Sequence, residues 1–500
     1  MNIQRFCFII PPSPFLMDER VFMSLGLLKV AAVMKSFMTV DVLDLSGIAN
    51  YKNTVDDYLS GNKDVMIGIT VTTPQLPNVV EIIKTIRNRN KDIKIVLGGP
   101  HVTLTHAGYL SEEKDGRKNG RAHKAFSDLE KLADVLIAGD GEKAILETLK
   151  PNVPKLIDAD NPKNKLFLQV HGPINELDST PWPDRNLVDV SSYHYTIDGV
   201  RALSIVTQLG CPFGCGFCGG RNSPSFRRRR NRSIPSIISE MEYLYKTYET
   251  RGFMFYDDEL NVDHKFIVDL MTAIIDLQKR LGTEFRLRGF VKSQLFNQEQ
   301  ADLMYKAGFR WLLTGFESAS PKILINMEKR ATVEENTRCV EIGKKAGLKV
   351  KALMSIGHPG ETKETILETK NWLLKVKPDD FDITIITVYP GTPYYDESRE
   401  HETLKDVWVY THKNGDKLYS KAINYTETAD FYKGDPNGGY ESYVFTPDLT
   451  AEEIVIERNN AEKEVREKLG IPYPSSAPAV KYEHSMGQSG LSVLRSSPKI

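Results

Sequence analysis

Three of the five cysteines, Cys211, Cys215 and Cys218, fall within eight positions, spaced C-x3-C-x2-C inside QLGCPFGCGFCGG. Thiolates at such spacing are ligands for zinc or for an iron-sulfur centre, and the glycines at 214, 216, 219 and 220 let backbone approach a bulky inorganic group. Structural zinc wants four protein ligands, and no second cysteine pair or His-x3-His run completes a tetrahedron. A 4Fe-4S cube held by three thiolates keeps one iron open to a small molecule, which suits catalysis better than electron storage. Zinc, or three thiols without metal, are the alternatives the residues alone leave open. Cys7 and Cys339 lie far off, in a strand pattern and an amphipathic helix pattern, where burial is expected.

The elements that must carry this cluster follow from apolar periodicity. Residues 1–150 alternate β-branched runs (QRFCFII, TVDVLDL, DVMIGITVT, DIKIVLGG, DVLIAGDG) with amphipathic stretches such as NVVEIIKTIRNRN. That alternation predicts a doubly wound, Rossmann-like α/β domain with its ligand crevice at the carboxyl ends of the strands. The polar stretch 111–128 reads as a surface insertion, and the Pro- and Asn-rich residues 151–200 as a connector with little regular structure. A second alternation, ALSIVTQLG, FMFYDDE, RLRGF, WLLTGFE, VKALMSIG and DFDITIITVY, predicts a partial (β/α)6 barrel over 201–396, with chemistry on the loops after its strands. The remainder, 397–500, reads as a small, mainly helical extension. Its clear element opens on a capping box, Thr450 with Glu453, and ends at Gly470, and a loose Pro/Ser-rich tail follows.

Composition narrows the class. A chain of 500 residues with 41% hydrophobic residues predicts two or three globular domains. A net charge of -1 argues against a protein that coats nucleic acid or an anionic membrane. The apolar N-terminal run is too short to span a bilayer, and the odd cysteine number is no disulfide framework, so a cytoplasmic protein with reduced thiols is expected.

At this point the residues resemble a family. TQLGCPFGCGFCGG at the end of a first barrel strand, with Phe217 before the third cysteine, resembles the signature of radical S-adenosylmethionine (SAM) enzymes. FYDDE (255–259), TGFESASPKILINMEKRAT (314–332) and IGHPGET (356–362) follow in that family's order. A preceding Rossmann-like half with LGGPHVT (97–103) and AGDGEKAI (138–145) makes the chain similar to the cobalamin (B12)-binding class. The resemblance covers about residues 1–396.

What the resemblance implies is a 4Fe-4S cluster on Cys211, Cys215 and Cys218 as metal ligands, with SAM chelating the open iron. Asp257 and Asp258 match an acidic pair by the methionyl end, Glu317 a SAM-contacting position, and Lys329 a basic partner of the SAM carboxylate. Gly357 and Gly360 match a glycine-rich loop near the adenosine. Gly98, Gly99, Gly139, Gly141 and Glu142 are the candidates for the cobalamin tail. The G-x-G-x-x-G fingerprint is absent after the first strand, which tells against NAD. The D-x-H-x-x-G cobalt-ligating motif is absent too, so a corrin would be held without a protein histidine. His101 reads as a hydrogen-bonding crevice residue rather than a cobalt ligand.

The implied reaction is reductive cleavage of SAM to a 5'-deoxyadenosyl radical, followed by cobalamin-dependent methyl transfer to an unactivated carbon of a small-molecule or peptide substrate. A flavodoxin- or ferredoxin-type donor would supply the electron. The alternatives are radical cyclisation, rearrangement or oxidation without methyl transfer, and a non-catalytic cobalamin or iron-sulfur carrier. The basic run Arg227–Arg230 reads as a solvated helix-leading segment rather than a nucleic-acid site, and Tyr389, Tyr394 and Tyr395 as packing at the end of the last strand.

Overall fold

Apolar runs separated by amphipathic stretches have one economical packing: each run becomes a buried parallel strand, and each stretch a helix laid across the sheet. The structure, a computed structural model, describes residues 4–118, 120–435, 439–473, 481–484 and 494–497. Its first sheet holds six parallel strands, β1 (Arg5–Ile10), β2 (Thr39–Asp44), β3 (Val65–Thr70), β4 (Ile95–Gly98), β5 (Val135–Gly139) and β6 (Leu156–Ala159), in the order β2-β1-β3-β4-β5-β6. Phe6, Ile9, Ile67 and Leu97 are wholly buried at its centre. Strand order reverses between β1 and β3, which puts a crevice outside their carboxyl ends.

Two sequence expectations change here. The stretch 111–128 is no insertion: it is the end of the helix Pro100–Lys114 and the start of the helix Arg121–Leu132. The buried Glu112 ties the two together by accepting from the His123 N–H at 3.0 Å. The connector after residue 150 contributes β6 to the first sheet. It then forms a hairpin of β7 (Val170–His171) and β8 (Ile174–Asn175).

The second sheet curls into a partial barrel. Strand β9 (Thr196–Ile197) runs antiparallel to β10 (Val200–Ile205). A short pair, β11 (Gln208–Leu209) with β12 (Arg230–Asn231), brackets the three cysteines. Strands β13 (Gly252–Phe255), β14 (Arg286–Phe290), β15 (Phe309–Glu317), β16 (Lys349–Ile356) and β17 (Asp380–Ile385) follow β10 in sequential parallel order. The six barrel strands are those the apolar runs marked. Side chains alternate, so Leu287, Leu312, Val350 and Phe381 bury against the outer helices while Arg288 and Lys351 face the concave side, half-buried. The helices start on side-chain caps, Asp263, Asn297, Thr332 and Thr362, each accepting from a backbone N–H three residues on.

The extension is mixed rather than mainly helical. Strands β18 (Arg399–Glu400), β19 (Val407–Thr411), β20 (Lys417–Lys421) and β21 (Val444–Phe445) form an antiparallel sheet ahead of the helix Ala451–Leu469. That helix has the expected capping box at Thr450 and ends at Gly470 with φ of 65°. The loose-tail expectation falls largely outside the described residues. No helix among the described residues is long and apolar enough to cross a membrane.

Candidate active site

The site is built at the carboxyl ends of the barrel strands. The loop from 210 to 222 lacks regular structure, and backbone hydrogen bonds hold it. Cys211 N–H donates to the Phe226 carbonyl at 2.8 Å, Gly216 N–H to the Met327 carbonyl at 2.8 Å, Cys218 N–H to the Cys215 carbonyl at 3.1 Å, and Tyr394 N–H to the Gly216 carbonyl at 3.1 Å. Gly216 has no alternative, because a Cβ there would stand 2.5 Å from the Tyr394 ring. Cys215 is buried, Cys211 half-buried and Cys218 exposed. Burial, against a backbone hydrogen bond at Phe213 and with Glu259, Asp258 and Cys215 adding to it, pushes the Cys211 thiol up to about 11. Such a thiol stays protonated until a metal displaces the proton.

Among the described residues no three His, Cys, Asp or Glu side chains close on a single ion. The donor set is three soft sulfurs on one glycine-rich loop, which is the chemistry of an iron-sulfur cluster. Two buried cations face it. Lys329 is 5% exposed, and although burial pulls its pKa down, Glu317, Cys215 and Glu259 outweigh that and raise it. Lys292, at the end of β14, is 2% exposed; burial and the neighbouring Lys329 lower its pKa. Its ammonium sits 4.2 Å from the Phe213 ring centroid and donates to the Lys329 carbonyl at 3.4 Å. Sequence alone did not single out Lys292.

The acidic residues divide by role. Asp257 is buried and spent on structure: it accepts from Thr207 N–H at 2.7 Å, Gln208 N–H at 2.6 Å and Thr207 Oγ1 at 3.1 Å, and burial pushes it up to about 7. Asp258 is exposed at the site and raised by its surroundings' desolvation. Glu259, the last residue of FYDDE and not singled out within it, has an unpartnered buried Oε2, and burial pushes it up to about 7 against the pull of Lys329 and Lys292. Glu317 ends β15 at a register shift with φ of 65°. A non-glycine residue held there costs of order 1–3 kcal/mol, and such strain clusters at functional positions. Its Oε1 lies 3.4 Å from Lys329 Nζ, and its Oε2 accepts from Ser355 Oγ at 2.8 Å.

Ser355 continues to His358 Nε2 at 2.8 Å, and His358 Nδ1 lies 3.4 Å from the Tyr394 hydroxyl. Burial drops His358 to about 3, so it bridges as a neutral ring. Phe217 packs its edge on that ring at 5.3 Å. Gly357 and Gly360, both with positive φ, hold the turn around His358 against Val444 and Asp416 of the extension. Tyr394 and Tyr395 are buried, as packing, and Arg121 lies 3.6 Å over the Tyr395 ring.

The first sheet reaches this loop directly. Leu104, on the helix Pro100–Lys114, lies 3.2 Å from where a Gly219 Cβ would stand. Asp160 accepts from Ser223 Oγ and Ser225 N–H, each at 2.8 Å. Asp140 takes both guanidinium nitrogens of Arg230 and the Leu168 N–H at 2.8 Å. The arginine run is therefore not a solvated segment. Arg230 and Arg232 are buried and paired with Asp140 and Glu240, Arg229 with Asp263, and Arg227 donates to the Phe213 carbonyl.

In the crevice, Gly98 and Gly99 end β4 half-buried, beside Thr70. Gly139, Gly141 and Glu142 meet protein: a side chain at Gly139 would strike the Asp160 backbone, one at Gly141 the Val30 side chain at 2.8 Å, and Glu142 lies 3.6 Å from Lys29 Nζ. His101 is buried, bonded through Nδ1 to Thr73 Oγ1 at 3.0 Å, and burial lowers it to about 3. Thr105 Oγ1 and His106 Nδ1, one turn further on, are buried without partners. Small residues at strand ends and polar atoms left bare below them fit a polar cofactor tail.

Each of the two α/β domains matches a known family. Residues 205–373 match the family model of the radical SAM superfamily, and residues 19–130 that of the B12 binding domain. An uncharacterized methyltransferase of Pyrococcus horikoshii is 28% identical over 399 residues, 78% of this chain and 82% of that protein. The hopanoid C-2 methylase of Rhodopseudomonas palustris is 24% identical, over 79% of this chain and 68% of its own length. The anaerobic magnesium-protoporphyrin IX monomethyl ester cyclase of Rubrivivax gelatinosus is 24% identical, over 76% and 67%. Among solved structures, the radical SAM methyltransferase TsrM from Kitasatospora setae superposes with a TM-score of 0.66 at 17% identity, covering 97% of this chain and 92% of its own. With a B12 domain joined to a radical SAM barrel in one chain, and a fold that follows TsrM end to end, the protein belongs to the cobalamin-binding radical SAM enzymes, whose cofactors are a 4Fe-4S cluster, SAM and cobalamin.

Proposed function

We propose that this protein is a cobalamin-dependent radical SAM C-methyltransferase acting on an unactivated carbon of a small molecule in the cytoplasm. The observation that carries this reading is the closeness of the two modules. Leu104 of the crevice helix meets the cluster loop at Gly219, and Asp140 and Asp160 clamp the segment after it. A methyl carrier seated in the crevice therefore opens onto the same mouth as SAM. Relatives named as methyltransferases and as a methylase support transfer as the outcome.

When bound, the cluster supplies the electron that opens SAM to methionine and a 5'-deoxyadenosyl radical, and cobalamin carries the methyl group. The chain's own residues bind, orient and exclude water. Cys211, Cys215 and Cys218 hold the cluster. Lys329, oriented by Glu317, and Lys292 offer two ammonium groups to the SAM carboxylate, and Asp258 and Glu259 offer carboxylates to its amino group. Asp257 sets the start of the cluster loop rather than touching SAM. Phe217, with the Gly357–Gly360 turn, shapes the adenosine side. Gly98 and Gly99 line the corrin tail, with Gly139, Gly141 and Glu142 as the wall behind. The paired arginines and near-zero net charge favour a small substrate over nucleic acid. With no further clustered cysteines in the sequence, the electron comes from an external flavodoxin- or ferredoxin-type donor.

The rival is radical cyclisation without methyl transfer, the activity named for the Rubrivivax relative. Anaerobic turnover with methyl-labelled SAM over a panel of candidate substrates separates them. Methyl transfer puts the label in product; a product that forms with 5'-deoxyadenosine yet carries no label refutes it.

A further inference from the structure

An open groove of about 610 Å3 lies outside the site described above and shares a wall with it. It runs between the short helix Pro321–Asn326, the start of the helix Val333–Lys345 and the turn of the β19–β20 hairpin of the extension. Leu324 and Val333 give it an apolar lining, and Ile325 stands 62% exposed beside them. Hydrogen bonds pin the hairpin turn to the helix. Asn414 Nδ2 donates to Asn326 Oδ1 at 2.8 Å, Asn326 Nδ2 donates to Asp416 Oδ2 at 2.8 Å, and Lys322 pairs with Asp416 at 3.2 Å.

A single layer of side chains separates this groove from the cysteine loop. Leu324 lines it and belongs to the small core of Ile323, Leu324 and Met327 on which Phe217 packs, between Cys215 and Cys218. Glu328, in the groove wall, pairs with Arg221 at the end of the same loop at 2.9 Å. Other approaches to the loop are occupied, by Leu104 of the first domain at Gly219 and by Tyr394 at Gly216. The turn around Lys329 serves both sides: Lys329 is buried, while its neighbours Glu328 and Arg330, at φ of 53° and 54°, line the groove. Two non-glycine residues held at positive φ beside one buried lysine are strain of the kind that clusters at functional positions.

Charge selects the occupant. Arg221 and Lys322 already neutralise Glu328 and Asp416. Arg330 and Lys413, both exposed in the lining, have no ion-pair partner among the described residues, and Glu334 is the one carboxylate of the lining left to oppose them. An apolar centre with a net positive rim, one layer from a redox centre, fits an acidic protein that presents a flat apolar redox group. We propose that a flavodoxin-type electron carrier docks here, its acidic rim on Arg330 and Lys413 and its flavin edge on Leu324, Ile325 and Val333. One electron then crosses the Phe217 layer: the flavin goes from hydroquinone to semiquinone as the oxidised cluster is reduced. The proposal rests on the radical SAM reading for the cluster itself and adds the place where its electron enters. It also gives the extension a task, since Lys413 is half of the unpaired rim.

The test uses the full chain, anaerobically loaded with cluster and cobalamin, and a purified bacterial flavodoxin as probe. Calorimetric titration with oxidised flavodoxin reads docking, and stopped-flow bleaching of the cluster by flavodoxin hydroquinone reads electron entry. Reversing both rim charges, Arg330→Glu with Lys413→Glu, should weaken binding and slow bleaching by at least about tenfold. Added salt should slow the unaltered protein and leave this variant unchanged. Lys413→Glu alone, on the extension and away from Lys329, should give part of both effects. Reduced methyl viologen, a small cation, should bleach the variants as fast as the unaltered chain. Flavodoxin that neither binds nor reduces the unaltered protein, equal flavodoxin rates in the unaltered chain and the double variant, or slowing shared by methyl viologen overturns the proposal. Methyl label passing from SAM to product with viologen as reductant keeps the methyltransferase reading whatever flavodoxin does; viologen-driven turnover without label sinks that reading and leaves the docking site standing.

Discussion

Replacing Lys329 by Met keeps a similar length and apolar stem and removes one charge from a site where charge is scarce. Lys329 Nζ lies 3.4 Å from Glu317 Oε1, and the two side chains are 6% and 15% exposed. Two unit charges at that separation attract by about 5 kcal/mol at an effective dielectric of about 20. Desolvation takes back much of it, and breaking a buried pair from one side costs about 3–5 kcal/mol because the remaining charge is left uncompensated. Glu317 would keep Ser355 as a donor at 2.8 Å, which puts the loss at the lower end of that range. If Lys329 also bonds the SAM carboxylate, losing that charged hydrogen bond costs about 1.5–3 kcal/mol of binding, or roughly 10- to 150-fold in affinity. The assay is anaerobic 5'-deoxyadenosine formation against SAM concentration, with cluster iron measured on the same samples. The expected result is full iron, a KM for SAM raised by at least about tenfold, and partial recovery in Lys329→Arg. An unchanged KM in a variant that keeps its cluster refutes the placement of SAM.

Three further outcomes follow from the same structure. Gly216→Ala drives a methyl into the Tyr394 ring, and Tyr394→Leu should restore part of the cluster content that this change loses; iron per chain reads both. Arg230→Met strands the buried Asp140, so thermal unfolding should show a loss of about 3–5 kcal/mol, with Asp140→Asn in the same chain recovering some of it. Asp396, bonded to Asn222 at 2.6 Å, is pushed by burial from 3.8 up to about 7. Its folded form therefore holds a proton that the unfolded chain releases, and its contribution is complete below about pH 4 and lost as pH rises through 7. Asp396→Asn should flatten that fall, by at most about 3 kcal/mol, in melting curves taken from pH 5 to 8.

The repeating elements were legible in the sequence, since the strands of the first sheet are short apolar runs, several barrel strands alternate apolar with polar residues, and the segments between them keep helical apolar spacing. All six barrel strands lie where those runs stand, and the cysteine loop follows the first of them. What stayed hidden is what depends on distant partners. Arg230 looks like one more surface arginine until Asp140, ninety positions earlier in sequence, is brought against it. Lys292 is a lone lysine at a strand end until Lys329 and Phe213 surround it. The extension's sheet was missed because its strands are short and half exposed, as in KLYSK, and such edges carry weak alternation. Asp257 reads in the sequence as half of a SAM-side acidic pair, and the hydrogen bonds that tie it to Thr207 and Gln208 are visible only in three dimensions.

Radical chemistry in this protein requires three thiolates that hold an iron-sulfur cube with one iron open to SAM. Electron paramagnetic resonance of the anaerobically purified, dithionite-reduced protein tests this most directly. The expected result is a reduced-cluster signal whose g values shift when SAM is added and which disappears in Cys211→Ala, Cys215→Ala and Cys218→Ala alike. A signal indifferent to SAM, or one that survives any of the three substitutions, contradicts it.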